Sequence, residues 1–266
     1  KRVTLQGIYH INNRTMKRNL ILIVCALYCT LAWAEVGKGK EENNISTKEK
    51  TPTIMNLDYK MKVDTTADLI IYDITDCQLD LACGSMPKTE EQDVVLCVAA
   101  AFTGKCLDYF AHSNILGPHI SKGVLYEGYE EEGGYAIFAS WGKQKEFFAL
   151  ENQNKLEEVA SAQGMAFTQY WVIKNGEGYN PPRQTVKQEY YRCIAQKAGQ
   201  TYIIESKEVG KFDYFVRCLI DLGVENALYL DMGNGWNHSF YRNVKGEVHI
   251  LHPKTHGYCT NWLVVK

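Results

Sequence analysis

Residues 189–206, EYYRCIAQKAGQTYIIES, alternate apolar with polar side chains on both sides of a break at Gly199. Strict alternation puts successive side chains on opposite faces of an extended chain, so the stretch is predicted as two antiparallel strands joined by a tight turn. The pattern recurs. GYAIFASW and KEFFAL read as a second hairpin across the GKQ turn region. DLIIYDI and DVVLCVAAAF are apolar strand-like runs, and MAFTQYWVI is another, ending at the turn-rich KNGEGYNPP. NALYLDM, GEVHIL and YCTNWLVVK complete the set. One segment changes period. In KFDYFVRCLIDLG, residues Phe212, Phe215, Val216, Leu219, Ile220 and Leu222 recur at helical spacing, and Gly223 stands where a helix C-cap belongs. Strands outnumber helices, and hairpins outnumber strand–helix–strand units. The expected class is α+β: a single domain with a mixed, largely antiparallel β-sheet packed with a few α-helices.

The first 53 residues do not share this pattern. Met16-Lys17-Arg18, the apolar NLILIVCALYCTL and the AWA at 32–34 have the order of a secretory signal peptide, with cleavage expected after about Ala34. The apolar run is too short for a membrane-spanning helix, which needs about 20 residues. Residues 1–15 read as an upstream extension and residues 35–53 as a polar, disordered leader. The folded domain is expected over 54–266, exported to a periplasm or secreted, without stable membrane insertion. Residues 1–34 hold five Lys/Arg and no Asp/Glu, which leaves 24 basic against 31 acidic residues in the remainder. That acidic balance argues against nucleic acid as a partner. The oligomeric state is left open.

Seven cysteines follow residue 34: Cys77, Cys83, Cys97, Cys106, Cys193, Cys218 and Cys259. Export makes disulfides possible, and Cys77 with Cys83 is the candidate pair by proximity. Cys97, Cys193 and Cys218 sit in apolar stretches and read as small core residues.

The order of the second half carries a resemblance. The Arg-bearing hairpin, an amphipathic helix ending DLGVENA and a strand ending LYLDMGNGW together resemble the phosphodiester glycosidase family, which includes the enzyme that removes N-acetylglucosamine from mannose-6-phosphate tags. VVLCVAAAFTG and NILGPHISKG resemble an upstream strand and loop of that family, so the likeness spans roughly residues 94–265. The form LYLDMG-GW followed by YR is most similar to variants of gut Bacteroidetes. Where the family has Asp-Gly-Gly-Gly-Ser, this chain has Asp231-Met232-Gly233-Asn234-Gly235-Trp236, and Ala100-Ala101 replace an upstream Asn-Gly.

The resemblance implies an exported hydrolase cleaving a sugar-1-phosphodiester or related glycan bond, with a glycan or sugar phosphate as its substrate and no cofactor. Arg192 would grip phosphate oxygens through its planar fork of donors, and Asp231 would act as nucleophile or base. Gly233 and Gly235 would let the backbone approach an anion. Trp236 and Tyr241 would stack on a sugar, with Asn114, His119 and Arg242 binding the substrate's polar groups. Each has a plainer reading. Asp before Gly at a strand end is a common turn former, and an Arg in an alternating strand commonly pairs with a cross-strand carboxylate at the solvent face. His112 and His119 could join His238 on a metal, but scattered histidines usually serve as hydrogen-bonders, and no metal site is assigned. YEGYEEEGG (126–134) reads as a solvated acidic loop. The alternative function is a noncatalytic glycan-binding or envelope interaction protein that keeps the fold without the chemistry.

Overall fold

A computed structural model of the chain describes residues 61–104, 110–130, 134–179, 189–232, 238–252 and 259–266. The predicted signal peptide and leader, and Cys106, lie outside them. The chain runs through β1 (Lys62–Thr65), β2 (Leu69–Asp73), β3 (Leu79–Cys83), β4 (Leu96–Ala99), a 3-10 turn at His112–Asn114, β5 (His119–Ser121), β6 (Val124–Tyr126), β7 (Tyr135–Trp141) and β8 (Gln144–Ala149). A second 3-10 turn leads into α1 (Leu156–Ser161). Then come β9 (Met165–Lys174), β10 (Glu177–Gly178), β11 (Arg192–Lys197), β12 (Gln200–Ser206), α2 (Phe212–Asp221), β13 (Asn226–Leu230), β14 (Ser239–Arg242), β15 (Val248–Leu251) and β16 (Asn261–Val265).

The larger sheet has the order β1-β2-β12-β11-β13-β9-β5-β6, with the β7–β8 hairpin and β10 also paired to β9. The smaller has the order β15-β14-β4-β16-β3. The paired strands are antiparallel, so the α+β expectation holds. Tyr72, Ile194, Ile203, Leu228 and Leu230 of the larger sheet share one core with Leu81, Leu96, Val98, Leu263 and Val265 of the smaller. The other face of the larger sheet presents Cys193, Ala195, Ile204 and Ala227 to Phe212, Phe215, Val216 and Leu219 of α2. β9 and most of β11 thus bury both of their faces, as their apolar runs required, while β1 at the sheet edge is exposed.

Two turns show how local sequence sets this frame. β11 and β12 are joined through Ala198 (φ 48) and Gly199 (φ 75). Two successive positive φ values define the hairpin turn whose twist matches that of the strands. Its register places Arg192 opposite Glu205. At the end of α2, Gly223 adopts φ 82. There Gly223 N–H bonds Ile220 O at 2.9 Å and Val224 N–H bonds Leu219 O at 3.0 Å, the paired bonds of a Schellman cap. Within the predicted apolar stripe, Ile220 is the exception: it is exposed.

The Cys77–Cys83 pairing is corrected: no disulfide joins them. Extended β3 separates them, and at about 3.3 Å per residue its length alone exceeds the reach of a disulfide. Cys97 and Cys193 are buried core residues, as expected, and Cys218 is half-buried on α2. Glu127 and Glu130 of the acidic run are exposed. Among the described residues, no helix is long and apolar enough to cross a membrane.

Candidate functional site

Arg192 opens β11, between Glu205 on β12 and Leu230 on β13. Alternation gives it the face of Ile194 and Ile203, so it points between the sheets, where its side chain is 0 % exposed. A charge in such a place needs partners. Nε donates to Glu205 Oε2 at 2.8 Å, and Nη2 approaches the same oxygen at 2.7 Å. Nη2 also donates to Ser239 Oγ, on β14 of the facing sheet, at 2.8 Å. Nη1 has no hydrogen-bond partner among the described residues, and neither does the buried Tyr72 hydroxyl. Burial pushes that hydroxyl's pKa up, and Glu205 pushes it further while Arg192 opposes. Two polar groups that lack partners thus belong to one electrostatic neighbourhood. Buried groups of this kind ordinarily find a partner in protein, water or ligand.

Glu205 is the pivot of this cluster. Its other oxygen, Oε1, is hydrogen bonded to His252 Nε2. Burial alone would raise the Glu205 carboxyl's pKa, but the Arg192 guanidinium and His252 outweigh it and hold the group below the ordinary carboxylate value. His252 follows β15 with φ 51, a left-handed conformation uncommon for a residue with a side chain and found preferentially where surrounding structure enforces it. Tyr190 packs edge-on against its ring at 4.6 Å.

Asp231 follows directly after β13 and is 5 % exposed. Its backbone N–H bonds Ala100 O at 3.1 Å. Ala101, next in line, is clamped by the Asn261 side chain, which accepts from its N–H at 2.7 Å and donates to its carbonyl at 3.0 Å. The Ala100-Ala101 pair therefore lies against the backbone of Asp231. The Asp231 charge reaches Tyr229 and Cys259, whose pKa values rise first through burial and then through this carboxylate. Arg192 also acts on Cys259, so both predicted catalytic residues influence one thiol.

The other predicted residues are placed unevenly. Tyr241 is half-buried on β14, on the face of Ser239, stacked on His249 at 4.7 Å and tilted against Tyr72 at 5.6 Å. Asn114 is buried in the 3-10 turn, and its carbonyl accepts from Gly104 N–H at 2.9 Å. Arg242 is directed elsewhere. It lies on the opposite face of β14 from Ser239 and directs its guanidinium at the carbonyls of Val94, Gly246, Thr89 and Glu91. It braces the loop before β4. His119 is 0 % exposed, donates from Nδ1 to Gly117 O at 3.0 Å and meets His112 Nδ1 through Nε2 at 3.0 Å. His238, once grouped with these two, instead donates to His252 O at 3.3 Å. Gly233, Gly235 and Trp236 lie outside the described residues.

Sequence reasoning missed Glu205, Ser239, His252 and Tyr72. Glu205 had a signal: counting outward from the Ala198–Gly199 turn sets it opposite Arg192. The plainer reading of Arg192 had the cross-strand carboxylate right and its surroundings wrong, because the pair is buried.

No family model matches the chain, and no curated protein matches it in sequence. Among solved structures, the fold is similar to the zebrafish N-acetylglucosamine-1-phosphodiester alpha-N-acetylglucosaminidase catalytic domain, in a form auto-inhibited by its pro-peptide. The TM-score is 0.51 at 14% identity, covering 77% of this chain and 81% of that one. A hypothetical protein from Synechocystis matches with a TM-score of 0.46 at 11% identity, over 77% of this chain and 61% of that one. The zebrafish match is a distant structural relationship, and it concerns the fold alone.

Proposed function

We propose that the chain is an exported hydrolase of glycosidase type, cleaving a sugar-1-phosphodiester or a related glycan bond, with Arg192 and Asp231 at the core of its site. The observation that carries this reading is the buried Arg192 guanidinium, oriented by Glu205 and Ser239, with Nη1 still without a partner among the described residues. A guanidinium held in this way is suited to an anionic oxygen, and in a low-dielectric setting the attraction is strong. Phosphate leaves as an anion, so a sugar-1-phosphodiester needs a fixed cation more than a strong acid. Water supplies the hydroxyl that ends on the sugar, and the sugar–oxygen bond breaks with its electron pair going to the phosphate. Asp231 serves as the base that takes the water's proton, or as the nucleophile that forms a glycosyl ester before water replaces it. The fold likeness to a glycosidase domain supports the same class.

The test is hydrolysis of N-acetylglucosamine-1-phosphodiester and glucose-1-phosphodiester model substrates by the purified chain and by Asp231→Asn. Turnover that falls at least about a hundredfold in the variant supports the assignment. A folded Asp231→Asn protein with full turnover removes Asp231 from the chemistry. Saturable glycan binding without turnover in the parent chain would establish the noncatalytic alternative.

A further inference from the structure

We propose that Cys83, His112 and His119 form a binding site for a borderline transition-metal ion of the Zn2+ type. The three come from different parts of the chain: the end of β3 in the smaller sheet, the 3-10 turn, and the start of β5 in the larger sheet. One ligand atom from each lies within 4.8 Å of the other two.

The hydrogen bonding of His119 suits a metal. His119 Nδ1 faces the Gly117 carbonyl at 3.0 Å. It must therefore carry the proton there, which leaves the Nε2 lone pair directed at His112 Nδ1, 3.0 Å away. A metal-bound imidazole characteristically donates its second N–H to a carbonyl or carboxylate in this way. Tetrahedral zinc would require about 3.3 Å between the two nitrogens and about 3.6 Å from nitrogen to sulfur, given Zn–N near 2.0–2.1 Å and Zn–S near 2.3 Å. The nitrogens need part by only about 0.3 Å, with the ion taking the place of the proton between them.

The surroundings hold the ligands. Tyr126 lies flat on His112 with centroids 3.4 Å apart and planes at 4°, and Phe110 meets the same ring edge-on at 4.9 Å. Ser121 Oγ donates to Leu81 O at 2.7 Å and ties β5 to β3 beside the thiol. His119 is fully buried, while Cys83 and His112 are half-buried. Cys83 and His112 are thus partly accessible, and a water would complete a tetrahedral set of four ligands. One thiolate with two imidazoles selects zinc, cobalt or copper over magnesium and calcium, which prefer oxygen. Bound metal would pin the smaller sheet to the turn that leads into the larger one.

The experiment is a Co2+ titration of chelator-treated, refiltered protein, followed by Zn2+ competition. Expected are one equivalent of Co2+, a thiolate-to-cobalt charge-transfer absorption with tetrahedral ligand-field bands, displacement by Zn2+ and a raised melting temperature with Zn2+. Cys83→Ser should abolish the charge-transfer absorption, and His112→Gln should weaken binding by at least about tenfold. Absence of stoichiometric binding to the parent chain, an octahedral spectrum without a thiolate band, or an unchanged band in Cys83→Ser each overturns the proposal. If Cys83→Ser does not fold, the parent spectrum and the half-buried His112→Gln decide it.

Discussion

Replacing Glu205 by Gln tests the centre of the site by its energetics. The substitution conserves volume and removes one charge. It leaves Arg192, whose side chain is 0 % exposed, without the carboxylate that holds it at 2.7 Å. Removing one partner of a buried ion pair costs about 3–5 kcal/mol, because the other charge is left uncompensated. Glutamine keeps one oxygen to accept from Arg192 Nε, so the lower end, about 3 kcal/mol, is expected. For a domain of this size that corresponds to a fall in melting temperature of roughly 6–12 °C.

The pH dependence has a definite sign. The folded-state pKa of Glu205 is lowered from its ordinary value of 4.5, with Arg192 and His252 outweighing burial. Its contribution is therefore complete above that value and is lost as pH falls through the folded pKa. The gap between parent and Glu205→Gln should be full at neutral pH and should close in acid. Urea unfolding of both proteins from neutral to acidic pH measures it. A Glu205→Gln protein as stable as the parent at neutral pH, or a gap that stays constant in acid, refutes the reasoning. The double variant Arg192→Met/Glu205→Leu should recover most of the loss, since an apolar pair of similar volume leaves no buried charge.

Gly223→Ala should cost about 1 kcal/mol in chemical unfolding, because φ 82 opposes a side chain while the nearest atom to an added Cβ is Lys197 Cε at 3.9 Å. Arg242→Ala strips donors from four main-chain carbonyls. It should lower the urea midpoint by an amount equivalent to about 2 kcal/mol or more, yet leave the Michaelis constant for any sugar-phosphodiester substrate unchanged.

The sequence reads well where physics is local. Alternation about Ala198–Gly199 specifies the β11–β12 hairpin down to the pairing of Arg192 with Glu205. The helical spacing of Phe212, Phe215, Val216 and Leu219, closed by Gly223, specifies α2 and its cap. The partners of Arg242 could not be read from the sequence, because they are backbone carbonyls, which exist in every residue and leave no mark in the side-chain pattern. His112 and His119 were seen as a pair, but their third neighbour was sought at His238 and lies at Cys83, on a strand of the other sheet.

By itself, then, the sequence determined the more apolar strands, the two hairpins and the one well-capped helix, because turn chemistry and side-chain period act over a few residues; the short strands β1, β3, β5, β6, β10 and β14 left no such pattern. Period two says that Arg192 and Cys193 point to opposite faces, but not which face a second sheet covers. Only tertiary structure decided that Arg192 lies between the sheets with Glu205, Ser239 and His252, and that Cys83 stands beside two histidines. Both clusters depend on packing residues far apart in the chain, and hydrophobic burial selects those faces without regard to sequence distance.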